Sequence, residues 1–394
     1  MPRVSCPKCD KVETIQKSGI VRKKQRYYCK DCNYNFTIHH ENSKQKNRVK
    51  VTDSNQTSLL DIAKAIGISV STVSRALHNH PDISESTKNA VHKLANELSY
   101  QPNALAQSLV TKSTHTLGVI IPNLETTFFS SMLSGIQHVA AKAGYRVVIC
   151  QSDESHRTEV ANVQALMNNM IDGLLLCHTI KTDTYDHIKI QLNRGIPIVQ
   201  FYRVNTEVET SRVFCEDENG SELITQHLID NGCKRIALLL GPKEINISQK
   251  RKKGFLKTLK KNGLKEDPEL IINIDFSYDS VIEVVDNLLK LKQPIDGIFS
   301  ISDKSAVQII QYLKKKKIKV PDSISVAGFG NEYTGQIIEP QLTTFDVKTS
   351  LIGEEAAKIL LDNIINKNAS IKDITIKGEL LVRASSLKVN SKIS

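Results

Sequence analysis

Residues 59–77 read LLDIAKAIGISVSTVSRAL, and farther on residues 100–110 read YQPNALAQSLV. Ile62, Ala63 and Ile66, then Val73, Ala76 and Leu77, follow the i, i+3, i+4 spacing of two helices that each bury one face. Gly67 stands where the first helix must end in a residue tolerating positive φ, and Ser69 can cap the second. Ser58 with Asp61 makes a capping arrangement for the first. Two short helices joined by so tight a turn predict a helix-turn-helix. Residues 84–98 supply a third amphipathic helix, with Val91, Leu94, Ala95 and Leu98 on its inner face. The second helix turns Val70, Ser71, Thr72 and Arg75 outward, a small polar face with one long cation that suits base edges in a major groove. The same spacing also fits a plain αα-hairpin of a bundle.

Leu60-Asp61-Ile62-Ala63, Gly67-Ile68-Ser69 and Thr72-Val73-Ser74-Arg75 resemble the N-terminal signature of the lactose-repressor (LacI/GalR) family of transcription regulators. Ile83-Ser84-Glu85-Ser86-Thr87 and Tyr100-Gln101-Pro102-Asn103-Ala104-Leu105-Ala106 resemble that family's third helix and hinge. The resemblance implies base contacts from Val70, Ser71 and Arg75, with Ser69 and Thr72 near phosphates. It makes Asn103 and Leu105 hinge contacts, Leu105 being the wedge that opens a minor-groove step. By itself the proline-led segment from Pro102 is only a short helix, marginal in water. The string His78-Asn79-His80 precedes Pro81 in a turn and has no metal-ligand partner, so a nuclease reading is discounted.

At 394 residues the chain is too long for one ordinary core. Its formal net charge of +11 favours a polyanionic partner without implying sequence specificity. No apolar run long enough to span a membrane occurs, and MPRVSCPKCD lacks the apolar stretch of a secretory signal, so no membrane partner and a cytoplasmic location are expected. Cys150, Cys177, Cys215 and Cys233 scatter through apolar stretches and read as small buried hydrophobes.

Cys6-Pro-Lys-Cys9 and Cys29-Lys-Asp-Cys32 are different: two CxxC knuckles separated by 19 residues. Each presents two thiolates from one turn, and together they complete a tetrahedron for structural Zn²⁺. A pair of disulfides and a redox CxxC are the competing readings. So short and polar a segment needs metal binding, on the order of 10 kcal/mol, to fold. Lys24-Gln25-Arg26-Tyr27-Tyr28-Cys29 and Cys32-Asn33-Tyr34-Asn35-Phe36 resemble the N-terminal zinc ribbons of insertion-sequence transposases, although no acidic catalytic triad follows. Through residue 57 there are thirteen Lys and Arg against five acids, an excess of eight that suits phosphate contacts beside a DNA reader. A purely protein-binding ribbon remains open.

From residue 114 short apolar runs alternate with amphipathic helices. Strand candidates are 117–121, 146–150, 173–177 and 198–201, then 235–240, 270–274, 297–301 and 324–329. Such alternation means parallel sheets covered on both faces, and two sets imply two Rossmann-like lobes around a cleft. This resembles the bilobal periplasmic-binding-protein-like effector domain of the same family. The fold class is therefore α/β, with an all-α helix-turn-helix domain and a small zinc ribbon in front. The expected domains are a ribbon at 1–40, a basic linker at 41–57, the helix-turn-helix at 58–101, the hinge at 102–113 and the effector and dimerisation domain at 114–394. No GxSxG, HExxH or P-loop occurs, so no enzyme is expected.

The resemblance places effector contacts on Phe128, Phe129, Tyr202, Arg251, Phe276 and Asp303. Arg251 lies in the run Lys250-Arg251-Lys252-Lys253, which also reads as a solvated face; Asp303 could simply cap a helix. Phe201-Tyr202-Arg203 and Gly328-Phe329-Gly330-Asn331 depart from the family by losing acids, which shifts the expected effector from a common hexose toward another sugar or a sugar phosphate. The expectation is a homodimeric regulator on a palindromic double-stranded operator, gated by this effector. The rivals are a recombination or transposition accessory protein led by the ribbon, and a sugar-binding protein without regulatory role.

Overall fold

A computed structural model describes residues 4, 6–9, 12–21, 24–37, 57–101, 113–366 and 369–388. The chain divides into two compact units, Met1–Asn103 and Ala104–Ser394. In the first, β1 (Ile15–Val21), β2 (Lys24–Cys29) and β3 (Tyr34–Thr37) form an antiparallel three-stranded sheet. Its small core holds Cys6, Cys29 and Phe36, with Tyr27 paired across strands to Phe36.

The same unit carries α1 (Leu59–Ile66), α2 (Val70–Leu77) and α3 (Glu85–Glu97). Ser58 and Asp61 make a reciprocal capping box on α1, and Gly67, at φ 75°, ends it. Ile62, Val73, Ala76 and Val91 are fully buried, so the three helices close one apolar core. One expectation fails here: Leu98 is 39% exposed. After α3 the chain reverses through Ser99 at φ 49°, with Ser99 N–H donating to Asn96 and Tyr100 N–H to Ala95. This Schellman turn swings Leu98 outward and brings Tyr100 onto the core instead.

The second unit is two α/β lobes. The first sheet runs β14-β8-β7-β6-β4-β5, all parallel: β4 (Thr116–Ile121), β5 (Arg146–Gln151), β6 (Gly173–Leu176), β7 (Ile198–Phe201), β8 (Ser211–Cys215) and β14 (Asp373–Ile376). Helices α4 (Thr127–Lys142), α5 (His156–Asn168) and α6 (Asp186–Asn193) belong to it. The second runs β10-β9-β11-β12-β13-β15: β9 (Ile236–Leu240), β10 (Ile271–Asn273), β11 (Gly297–Ser300), β12 (Ser325–Phe329), β13 (Thr343–Asp346) and β15 (Glu379–Leu381), antiparallel only at β15. Its helices are α7 (Asp217–Asp230), α8 (Asn246–Lys261), α9 (Tyr278–Leu289), α10 (Asp303–Lys315) and α11 (Tyr333–Ile337).

The chain crosses between lobes after β8, after β13 and after β14. The second crossing returns α12 (Thr349–Ile365) to the first lobe, where it packs on α4. Gly135 and Gly353 allow that approach: a Cβ at either would press into the Ser350 or Met132 carbonyl. All eight strand candidates are present. The four further strands, β8 and β13–β15, are the crossing strands and their neighbours. Among the described residues no helix is long and apolar enough to cross a membrane.

Candidate functional site

On α2 the Ser69 hydroxyl accepts the Thr72 amide at 3.1 Å and lies 2.8 Å from both the Ser71 and Thr72 hydroxyls. The cap therefore fixes the start of the helix and gathers three hydroxyls at its positive end. Val70 is 39% exposed and Arg75 is exposed, while Val73 and Ala76 between them are buried. Among the described residues no hydrogen bond or ion pair engages the Arg75 guanidinium. His78 gives Nδ1 to the Ser74 carbonyl at 2.7 Å, a helix-end contact. Asn103 and Leu105 lie outside the described residues.

In the ribbon the four sulfurs of Cys6, Cys9, Cys29 and Cys32 all lie within 4.8 Å of one another. Cys6–Cys32 and Cys9–Cys29 are 3.6 and 3.7 Å apart. A disulfide needs about 2.05 Å, whereas a tetrahedral metal with bonds of ~2.3 Å sets sulfur edges of ~3.8 Å. The donor set fits a metal ion. Backbone amides of Cys32 and Asp31 lower the Cys29 thiol against burial, while burial and the neighbouring thiols raise Cys32. Four thiols at this spacing form a donor set that a metal cation would hold as thiolates.

Between the lobes the C-terminal ends of the strands enclose a cavity of about 130 Å³. Phe128 and Phe129 reach it from the first turn of α4, Tyr202 from the end of β7, Phe276 from the loop after β10, and Arg251 from α8. Phe128 and Tyr202 lie 4.7 Å apart in a tilted pair, and Phe128 and Phe129 meet edge to face at 5.5 Å. Tyr202 at φ 60° and Phe276 at φ 66° adopt left-handed backbone at these strand ends. Burial pushes the Tyr202 hydroxyl up to about 12.

Arg251 is 2% exposed, not a solvated member of a basic run. It donates Nε and Nη2 to Asp217 Oδ1 at 2.9 and 2.8 Å, donates Nη1 to the Ile301 carbonyl at 2.6 Å, and stacks 3.5 Å over the Phe329 ring. Three of its five N–H groups are thus committed within the protein. Asp303, of the expected contacts, does not line the cavity. It is fully buried behind the wall, accepting the Thr344 hydroxyl at 2.7 Å and the Glu332 amide at 2.8 Å. Burial raises it to about 6.

Sequence reading missed Asn123, Glu154, Ser248, Lys304 and Glu332 in the wall. Glu154 takes Arg203 Nη1 on both oxygens at 2.9 Å and also the Ile180 amide. The adjacent Thr179 amide goes to the buried Glu159, beside His178 and His187. Glu332 is raised to about 7, by burial first and by Asp303 second. Asn123 Oδ1 and Ser248 Oγ are buried without a hydrogen-bond partner. Both atoms are left to bond water or a ligand in the cavity.

Residues 58–103 match the model of "Bacterial regulatory proteins, lacI family", and residues 114–384 match "Periplasmic binding proteins and sugar binding domain of LacI family". The ribose operon repressor of Halalkalibacterium halodurans and the repressor CytR of Escherichia coli are each 30% identical, across 83% of this chain and 96% of theirs. The repressor PurR of Vibrio campbellii is 27% identical across 84% of this chain and 99% of its own. Among solved structures, the lac repressor dimer bound to operator and the anti-inducer ONPF shares the fold at TM-score 0.76 and 24% identity, covering 84% of this chain and 100% of that one. A complex of the regulator CelR with cellobiose gives 0.63 at 25% identity, with the same shares. Neither family match includes residues 1–57. With capped reader helices at 58–103 and a bilobal ligand cleft at 114–384, the chain belongs to the LacI family of bacterial transcription regulators.

Proposed function

We propose that the protein acts in the cytoplasm as a homodimeric repressor whose two α2 helices enter major grooves of a palindromic operator about one helical turn apart. Arg75 donates to a guanine edge and Val70 and Ser71 contact neighbouring bases, while Ser69 and Thr72 face phosphates. Asn103 and Leu105 act at the hinge, Leu105 as a minor-groove wedge. Cys6, Cys9, Cys29 and Cys32 hold structural Zn²⁺, which supplies the folding free energy of a ribbon too small to fold by burial alone. The ribbon's basic surface lengthens the footprint, a role also consistent with its resemblance to transposase ribbons. A small sugar-like effector occupies the cleft against Phe128, Phe129, Tyr202, Arg251 and Phe276 and changes operator affinity. By linkage, operator DNA changes effector affinity by the same factor.

One observation carries this reading: a helix start fixed by Ser69 that leaves Arg75 exposed and unengaged within the described residues. Quantitative operator titration with and without a sugar panel tests it. Specific binding that shifts with one sugar and falls in Arg75→Ala supports it; binding that ignores both the panel and the substitution contradicts it. Zinc analysis of the purified chain tests the ribbon, with one ion per chain expected.

A further inference from the structure

The cations of the cleft are already matched from within the protein. Arg251 is held by Asp217 at 2.8 Å, Arg203 by Glu154 at 2.9 Å and Lys304 by Glu125 at 3.3 Å. Once those pairs are set against each other, Glu332 in the wall and Asp303 behind it remain. Arg383, whose charge acts on Asp303, gives its Nη1 and Nη2 to the neutral Leu342 carbonyl and Asn331 side chain; set against Asp303, it leaves Glu332 as the carboxylate in the wall without a cation of its own. The balance of the site is therefore acidic.

The N-terminus of α10 would ordinarily welcome an anion. Here the Glu332 carboxylate already accepts the Lys304 amide in its first turn. A phosphate arriving at this end would meet a carboxylate in its place, with no unmatched cation among the described wall residues. The rest of the wall suits the opposite charge. Phe128, Tyr202 and Phe276 present aromatic rings, whose faces attract cations, and Asn123 Oδ1 is a buried acceptor with no partner.

Resting on the effector reading above, we propose that the effector is a small hydroxylated molecule bearing a protonated amine, seated in the aromatic wall and paired with Glu332, and that phosphorylated analogues are rejected. Ionisation of Glu332 strengthens the pairing, so the preference for the amine grows between pH 6 and 8, around the value near 7 to which burial raises this carboxyl. Replacing a neutral hydrogen bond by a charge-assisted one is worth about tenfold in affinity.

The experiment is a thermal-shift and calorimetric titration of the full-length protein with matched trios: glucose, glucosamine and glucose 6-phosphate, and ribitol, 1-amino-1-deoxyribitol and ribitol 5-phosphate. At least one amine is expected to bind about tenfold more tightly than its neutral match. No phosphate is expected to bind, and Glu332→Gln should abolish the amine preference. The pH trend in the unsubstituted protein checks the same point should the variant fold poorly. Neutral or phosphorylated members leading in both trios would overturn the proposal and leave the effector site standing. An amine preference that survives Glu332→Gln and does not change with pH would overturn the role of Glu332. Silence from all six ligands would overturn this proposal and the sugar-like effector together, whereas operator binding would still report on the reader.

Discussion

Arg75 on α2 is exposed and has no carboxylate partner among the described residues, whereas Arg251 in the cleft is 2% exposed and spends Nε and Nη2 on Asp217 and Nη1 on a carbonyl. The two side chains carry the same charge with opposite consequences. The reader leaves its cation open to a partner from outside the protein. The cleft closes its cations before any ligand arrives, so its arginines shape the wall instead of drawing in anions. The ribbon extends the contrast to the opposite ligand: four thiols gathered within 4.8 Å form a donor set that fits a metal cation.

The largest effect is expected in the ribbon, where chelation or Cys6→Ser removes a contribution on the order of 10 kcal/mol to folding of this segment. Loss of zinc, with ribbon amides becoming exchange-competent while the amides of α1–α3 and the effector unit stay protected, is the expected pattern in hydrogen exchange. Next comes Asp217→Ala, which strands a buried guanidinium and should cost about 3–5 kcal/mol in denaturant unfolding of the effector unit. Arg75→Ala follows, losing about 1–3 kcal/mol of specific DNA affinity while changing stability by no more than about 0.5 kcal/mol. Titration on operator and on random DNA, with a melt alongside, separates the two.

The smallest effect belongs to Glu332. A carboxyl raised from its ordinary 4.5 to about 7 keeps its proton longer when folded than when unfolded. The folded state thus binds more protons between these values, and this group's contribution falls as pH rises through that window. Glu332→Gln should remove the slope and gain on the order of 1 kcal/mol at pH 8 relative to the unsubstituted protein. Melting curves from pH 4.5 to 8 check it, and a variant less stable at pH 8 would contradict the charge balance assigned to the cleft.

What the sequence discloses follows from how local the signal is. The helix-turn-helix is legible because its caps, its positive-φ glycine and its apolar spacing all fall within one short stretch. The knuckles are legible because each pair of ligands comes from one turn. Eight strands were readable as continuous apolar runs, but β8 (SRVFC), β13 (TTFD), β14 (DITI) and β15 (ELL) were not. These are short and broken by polar residues, and their strand state depends on pairing after the chain has crossed between lobes. Arg251 looked like one cation in a basic run, yet Arg251, Gly254, Phe255, Thr258 and Leu259 form the buried stripe of α8, a spacing that identifies it as inward-facing. Glu154, Asp217 and Glu332 gave no such clue, since each acquires its partner from a distant element.

The most direct test is quantitative footprinting of full-length protein on DNA selected from random duplexes, with Arg75→Ala in parallel. A palindromic footprint bound at least about a thousandfold more tightly than random DNA is expected, with most of that preference lost in Arg75→Ala. Equal affinity for selected and random duplexes, or an Arg75→Ala protein that keeps the preference, would contradict it.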